Sequence, residues 1–342
     1  MSVRGFFCLA LPLFARQAAP GAPAQRPEAQ APVFRTEAAL ALVRFHVVRK
    51  HSYVDDLKPE DVILLEDGLP RKVRVFEGGR LAPRTIPIEM TLLFDTSGSV
   101  TGAGLLDPLA YKATLLDNLE SVRLAVYTFT FTLRRHCRPT RDPAELAAAF
   151  RSVLDSQSGR GGPQVESIPL QLPPRRKGGP GTWLFEAIMA TARNAAAEPG
   201  QATRMLVIFS DGFPTTNTPP EDAVAVLSEL GIPAYPVVLG HASMAALKAG
   251  GRLGWPQMAE MFMADFARLA ELTGGRSFDP PVIDVAVVRQ ILAAMAGQVL
   301  CEYVVGFQPE QSSGAPRPHR IQVKLRSKDL GTLQGGFRTV TH

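Results

Sequence analysis

IEMTLLFDTSGSV, residues 88–100, carries the strongest structural signal in this chain. A run of apolar and β-branched residues with one charge, Glu89, reads as a buried strand. It delivers Asp95 at its carboxyl end, and Thr96, Ser97, Gly98 and Ser99 follow as a turn before a helix. In open sheets whose strands alternate with helices, that end of a strand is where ligands bind. Asp95, Ser97 and Ser99 stand at alternate positions, so one tight turn can aim three side-chain oxygens at one spot while Gly98 gives the backbone room. One carboxylate and two hydroxyls are hard ligands, suited to a small divalent cation such as Mg²⁺ that keeps waters or open positions.

The D-x-S-x-S pattern by itself says little, because Asp and Ser at this spacing also cap helices. Its surroundings say more. From Ile86 onward, strands at 88–95, 122–130, 131–138, 203–210, 232–240 and 275–279 alternate with helical stretches near 103–120, 142–154, 182–197, 220–230, 260–273 and 283–299. This alternation predicts an α/β fold with a doubly wound, mainly parallel six-stranded sheet. Strands 122–130 and 131–138 are joined too tightly for a crossover helix, so one of them is expected to run antiparallel at the sheet edge. Residues 155–181 and 241–259 interrupt the pattern as long loops, of a length that is usually either functional or mobile.

Two further element ends supply candidate ligands. GPGTWLFEAI, 179–188, puts Thr182 at the start of a helix behind a glycine-rich loop, and MLVIFSDGFP, 205–214, is an apolar strand ending in Asp211. Helix capping accounts for one such loop but not for Thr182 and Asp211 arriving at the same edge.

With these residues in place the chain resembles the von Willebrand factor type A domain and its metal-ion-dependent adhesion site. Asp95, Ser97 and Ser99 match the first motif loop, Thr182 the second and Asp211 the third. The resemblance implies that Ser97 and Ser99 touch a metal directly and that Thr182 does so directly or through water. Asp95 and Asp211 would hold coordinated waters, and Mg²⁺ or Mn²⁺ would be the cofactor. It implies an acidic side chain of a partner protein in the last coordination position, hence a non-enzymatic, switchable binding module. The alternatives are an envelope scaffolding protein whose metal only stabilises loops, and a metal-dependent hydrolase.

The flanks read as β structure. Residues 38–48 are apolar and β-branched, VILLEDG (62–68) and RKVRVFEGG (71–79) form two strands around an Asp67-Gly68 turn, and the tail from Cys301 carries CEYVVGF and HRIQVKL. Neither end has enough apolar residues for its own core, so 35–85 and 301–342 are expected to pair as a small β domain beside the domain at 86–300. DLKPEDVILLEDGLPRKVRVFEGG and CEYVVGFQPE resemble the flanks of the bacterial VWFA-related family found especially in acidobacteria, whose members are typically exported. Here Arg49-Lys50-His51-Ser52-Tyr53 replaces that family's Asp-x-x-Gly turn, which puts the first hairpin in question.

Composition narrows the function classes. The 342 residues are 46% hydrophobic and 20% charged, which supports a globular core and opposes wholesale disorder. Residues 1–24 have the grammar of a signal peptide: Arg4, an apolar stretch, and a final Ala22-Pro23-Ala24. A linker at 25–34 follows, and the expected location is periplasmic or secreted. Without Arg4 and Arg16 the net charge falls from +5 to +3, too small to suggest nucleic acid. No apolar run is long enough for a transmembrane helix in the mature chain.

Other chemistries find little support. Cys8, Cys137 and Cys301 make no disulfide framework and no C-x-x-C site, although Cys137 and Cys301 could bridge in an oxidising compartment. Ser97 interrupts the Asp-Thr-Gly triplet that an aspartic protease requires in two copies. A haloacid-dehalogenase-type phosphatase would need Asp where Ser97 stands. His241 alone of six histidines sits at a strand end, and no G-x-S-x-G elbow accompanies it. Met244, Met258, Met261 and Met263 suit core or partner packing better than Cu(I). The basic run Arg175-Arg176-Lys177 and the cations of the tail read as solvated loops and strand faces.

Overall fold

Strand Ile88–Asp95 is buried at every position, and the rest of the central sheet is laid against it. The computed structural model describes residues 40–50, 52–79, 81, 85–97, 105–157, 165–171, 181–240, 255–309 and 317–341. The expected leader and linker, Cys8, Ser99, residues 175–177, His241 and Met244 lie outside the described residues.

The first five strands are β1 (Ala41–Arg49), β2 (Ser52–Tyr53), β3 (Val62–Glu66), β4 (Leu69–Arg71) and β5 (Val75–Gly78). Next come β6 (Ile88–Asp95), helix α1 (Pro108–Tyr111), β7 (Val122–Phe129), β8 (Leu133–Thr140), α2 (Pro143–Gln157) and β9 (Glu166–Ile168). Then follow α3 (Leu184–Ala197), β10 (Thr203–Ser210), α4 (Pro220–Leu230), β11 (Ala234–Val238), α5 (Trp255–Thr273) and α6 (Val285–Leu300). The chain closes with β12 (Tyr303–Phe307), β13 (Pro318–Leu325), β14 (Thr332–Gly335) and β15 (Phe337–Thr341).

The central sheet has six strands in the order β11-β10-β6-β7-β8-β9. The four strands from β11 to β7 are parallel, and β8 and β9 each run antiparallel to their inner neighbour. Strand periodicity of two sorts β6 between the faces. Met90, Leu92 and Phe94 pack with Tyr111, Leu115, Phe150 and Leu292, while Leu93 joins Tyr127, Ile208, Ile188, Leu227 and Phe266 on the other side. Phe94 and Phe209, paired in register, stack with ring centroids 4.7 Å apart. These contacts fix β6 and β10 side by side, which aligns the ends that carry Asp95 and Asp211.

Three expectations are corrected here. The stretch 275–279 is not a sheet strand; Phe278 makes one isolated parallel bridge to Val237. Gly275 presses on Ala234, where a Cβ would sit 1.8 Å from the carbonyl oxygen. The sixth strand is β9, inside the stretch read as an uninterrupted loop, so β8 is antiparallel but not at the edge. An ion pair from Arg135 to Glu166 ties β9 to β8. The helix expected at 103–120 is the single turn α1 followed by a wider turn at Lys112–Leu116, in which Asp117 N–H reaches back to Lys112 O at 3.0 Å.

Strands from the two chain ends pair with each other. β1 is antiparallel to β12 and β14, β5 to β12, and β3 to β13 and β4. Val43, Phe45, Leu64, Tyr303, Phe307 and Ile321 share one buried cluster. Asp67 and Gly68 make the expected turn with φ of 48° and 84°, the left-handed conformations a two-residue hairpin needs. The first hairpin survives in short form, with Val48 opposite Tyr53 and Arg49 opposite Ser52. The described residues belong to one compact unit. Among the described residues no helix is long and apolar enough to cross a membrane, and Cys137 and Cys301 are free thiols.

Candidate metal centre at the ends of β6 and β10

Asp95 ends β6 with 2% exposure, and Asp211, immediately after β10, has 1%. The Asp95 carboxylate is held at both oxygens. Ser97 N–H donates to Oδ1 at 2.8 Å, closing the turn that follows the strand, and Ser210 Oγ donates to Oδ2 at 2.7 Å from the neighbouring strand. Ser210 Oγ in turn accepts Gly212 N–H at 3.1 Å, and Asp211 Oδ1 accepts Phe213 N–H at 3.1 Å. Both acidic turns are therefore closed by bonds of the carboxylate-to-backbone kind that Asp favours at chain reversals.

Thr182 is brought to the same edge by backbone contacts on either side. Trp183 N–H donates to Thr130 O, just past β7, at 2.9 Å, and Thr182 O accepts both Thr215 N–H at 2.8 Å and Thr215 Oγ1 at 3.1 Å. Thr182 thus bridges the end of β7 and the loop after β10, with β6 lying between those two strands, and it is itself buried. Gly181 is required by this closeness: a Cβ there would lie 2.3 Å from Thr215 Oγ1. Thr96 completes the enclosure, donating its N–H and its hydroxyl to Phe129 O at 3.0 and 3.1 Å.

The electrostatics are those of a site short of positive charge. Burial, and then the facing charge of Asp211, push the Asp95 carboxyl up from 3.8 to about 6, against the opposing hydrogen bonds from Ser210 and Ser97. Two like charges held in a dry place raise each other's cost of ionisation. A divalent cation between them would reverse that sign, and the accompanying donors, Ser97 and Thr182 hydroxyls, are hard oxygens of the kind Mg²⁺ and Mn²⁺ accept. The residues present fit such an ion. Among the described residues no three His, Cys, Asp or Glu side chains converge, so imidazole and thiolate sites find no counterpart there.

Of the five expected ligands, Asp95, Ser97, Thr182 and Asp211 come to one edge, and Ser99 lies outside the described residues. Sequence reading missed the supports. Ser210 has a strand signal only, although its place beside Asp211 is a usable pointer to the site. Glu186, buried one turn into α3, accepts the hydroxyls of Thr216 at 3.0 Å and of Thr218. It pins the loop after Asp211 to the helix that follows Thr182. Of the methionines considered for copper, Met263 is buried in the core against Phe266.

No protein-family model matches the chain, and no curated protein matches it. Solved structures do resemble it. BatB from Bacteroides thetaiotaomicron is 15% identical with a TM-score of 0.39, over 62% of this chain and 98% of that one. The vWF domain of the type V pili tip protein Mfa5 from Porphyromonas gingivalis is 11% identical with a TM-score of 0.37, over 63% and 96%. Manganese-loaded TRAP protein from Plasmodium vivax is 13% identical with a TM-score of 0.34, over 81% and 97%.

Proposed function

We propose that this chain is an exported, non-enzymatic protein-binding module of the doubly wound von Willebrand factor A type, with a divalent-metal-dependent adhesion site. The observation that carries the reading is the burial of Asp95 and Asp211 at the ends of two adjacent parallel strands, each facing the other's charge. Ser97, Ser99 and Thr182 complete the proposed ligand set around Mg²⁺ or Mn²⁺. Once bound, the ion would supply an electrophilic position for an Asp or Glu carboxylate of a partner protein.

The chain's own residues prepare that position. Ser210 and the Ser97 amide hold the Asp95 carboxylate in one orientation, and Glu186 with its threonines keeps the Asp211 loop against α3. Fixed donors of this kind lower the ordering cost of binding. The test is capture of envelope proteins on the immobilised chain in Mg²⁺ and in EDTA, with Asp95→Ala as control. Partners retained in Mg²⁺ and lost both in EDTA and in the variant support adhesion. Equal capture in all three arms favours a scaffolding role and rejects this one.

A further inference from the structure

Away from that edge, a cavity of about 230 Å³ opens between the terminal strands and the carboxyl end of α4. Arg44 from β1 and Arg338 from β15 both line it, together with Glu302, Ser228 and Gly231. We propose that this cavity is a binding site for a small oxyanion of the carboxylate or phosphate class, held by Arg338 and Arg44.

The guanidinium groups have donors to spare. Arg338 Nη1 donates to Leu42 O at 3.0 Å, yet its Nε–H is buried without an acceptor. Arg44 Nη2 donates to Arg204 O at 2.6 Å, while its buried Nη1 makes no hydrogen bond and has the Glu302 carboxylate 3.6 Å away as its ion-pair partner. Buried donors are nearly always satisfied in folded proteins, so the Nε–H of Arg338, a residue that lines the cavity, calls for a partner.

The charge balance points the same way. Arg204 is paired with Glu89 at 3.0 Å, and Arg44 faces Glu302 at 3.6 Å with its side chain only 9% exposed. Among the described residues no carboxylate is paired with Arg338. Burial, and then the charges of Arg44 and Arg204, make protonation of Arg338 harder than usual. A buried charge surrounded by like charges is expensive unless an opposite charge joins it. The carboxyl end of α4 helps, since its carbonyls carry partial negative charge, but it leaves Nε–H without a partner. Gly231 is shaped to this arrangement: it caps α4 in the left-handed conformation, and a Cβ there would come within 2.6 Å of Arg338 Nε.

A planar guanidinium offers paired N–H groups that match two oxygens of one carboxylate or phosphate. The shared chemistry is an anion with at least two oxygens, and the experiment separates the classes. The full chain is titrated with inorganic phosphate and with acetate at ionic strength fixed by chloride, and melting temperature and heat of binding are followed. The expected result is a saturable rise with one of the two, with Kd below about 1 mM. It is lost in Arg338→Met and kept in Asp95→Asn, which separates this site from the metal centre. Arg338→Lys keeps the charge without the fork and should bind about tenfold more weakly, a readout that remains should Arg338→Met fail to fold. No saturable response to either anion in the wild type overturns the proposal. So does undiminished binding in whichever Arg338 variant folds.

Discussion

The Ser210 hydroxyl donates to Asp95 Oδ2 at 2.7 Å across the β6–β10 pair. Because the next residue is Asp211, one hydroxyl both orients the first carboxylate and marks the start of the turn that places the second. This bond opposes the upward shift of the Asp95 pKa caused by burial and by Asp211. Ser210→Ala should lower stability by about 1–3 kcal/mol, the usual cost of leaving a buried acceptor without its donor. Urea denaturation in EDTA measures this, and Mg²⁺ should recover less of the loss than it adds to the wild type.

Asp95→Asn separates a structural carboxylate from a ligand. With its acidity shifted from 3.8 to about 6, ionised Asp95 weakens the metal-free fold at pH 7 by about 3 kcal/mol. The sign follows from protons: the folded carboxyl holds its proton up to about 6, the unfolded one releases it near 3.8, and the penalty is complete above both. The amide should therefore raise metal-free stability by up to about 3 kcal/mol while abolishing stabilisation by Mg²⁺. Lower stability of the variant in EDTA would show that the carboxylate is needed for folding itself.

His136 predicts the acid limb of stability. Its ring lies between Thr128 Oγ1 at 2.9 Å and Ser152 Oγ at 3.0 Å, and burial, then Arg134, push it down from 6.5 to about 4. It stays neutral when folded and takes a proton when unfolded, so stability is lost as pH falls from 6.5 towards 4. The loss at pH 5 is about 2 kcal/mol relative to pH 7. Denaturation at the two pH values should show a smaller difference in His136→Gln than in the wild type.

Gly181→Ala tests the link between the second and third loops. The added methyl would displace Thr215, whose N–H and hydroxyl both bind Thr182 O. Overpacking of this kind costs about 1–3 kcal/mol. Thr182 should shift with it, so the Mg²⁺-dependent rise in melting temperature should shrink while the far-ultraviolet spectrum stays unchanged.

The strands that build the centre were legible because their signal is strong. An apolar run ending in Asp is the pattern of a buried parallel strand reaching a ligand edge, and both β6 and β10 show it. The antiparallel β8 followed from a connection too short for a helix. Strand β9 was hidden because three residues, Glu166–Ile168, make no pattern of their own; pairing with β8 and the Arg135–Glu166 contact create the strand. The reverse holds at 275–279, where a strand-like composition meets only Val237 and gains a single bridge. Ser210, Glu186 and the threonines at 216 and 218 escaped for a related reason: their roles depend on which loops meet, and that is decided by tertiary packing.

The most direct test of the metal centre is a Mn²⁺ titration followed by the electron-paramagnetic-resonance signal of the free ion. The wild-type chain should remove about one ion per molecule from solution, Mg²⁺ should compete for it, and Asp95→Asn and Asp211→Asn should each abolish uptake. Undiminished Mn²⁺ uptake by both variants, or none by the wild type, would contradict the assignment of Asp95 and Asp211 as the heart of the site.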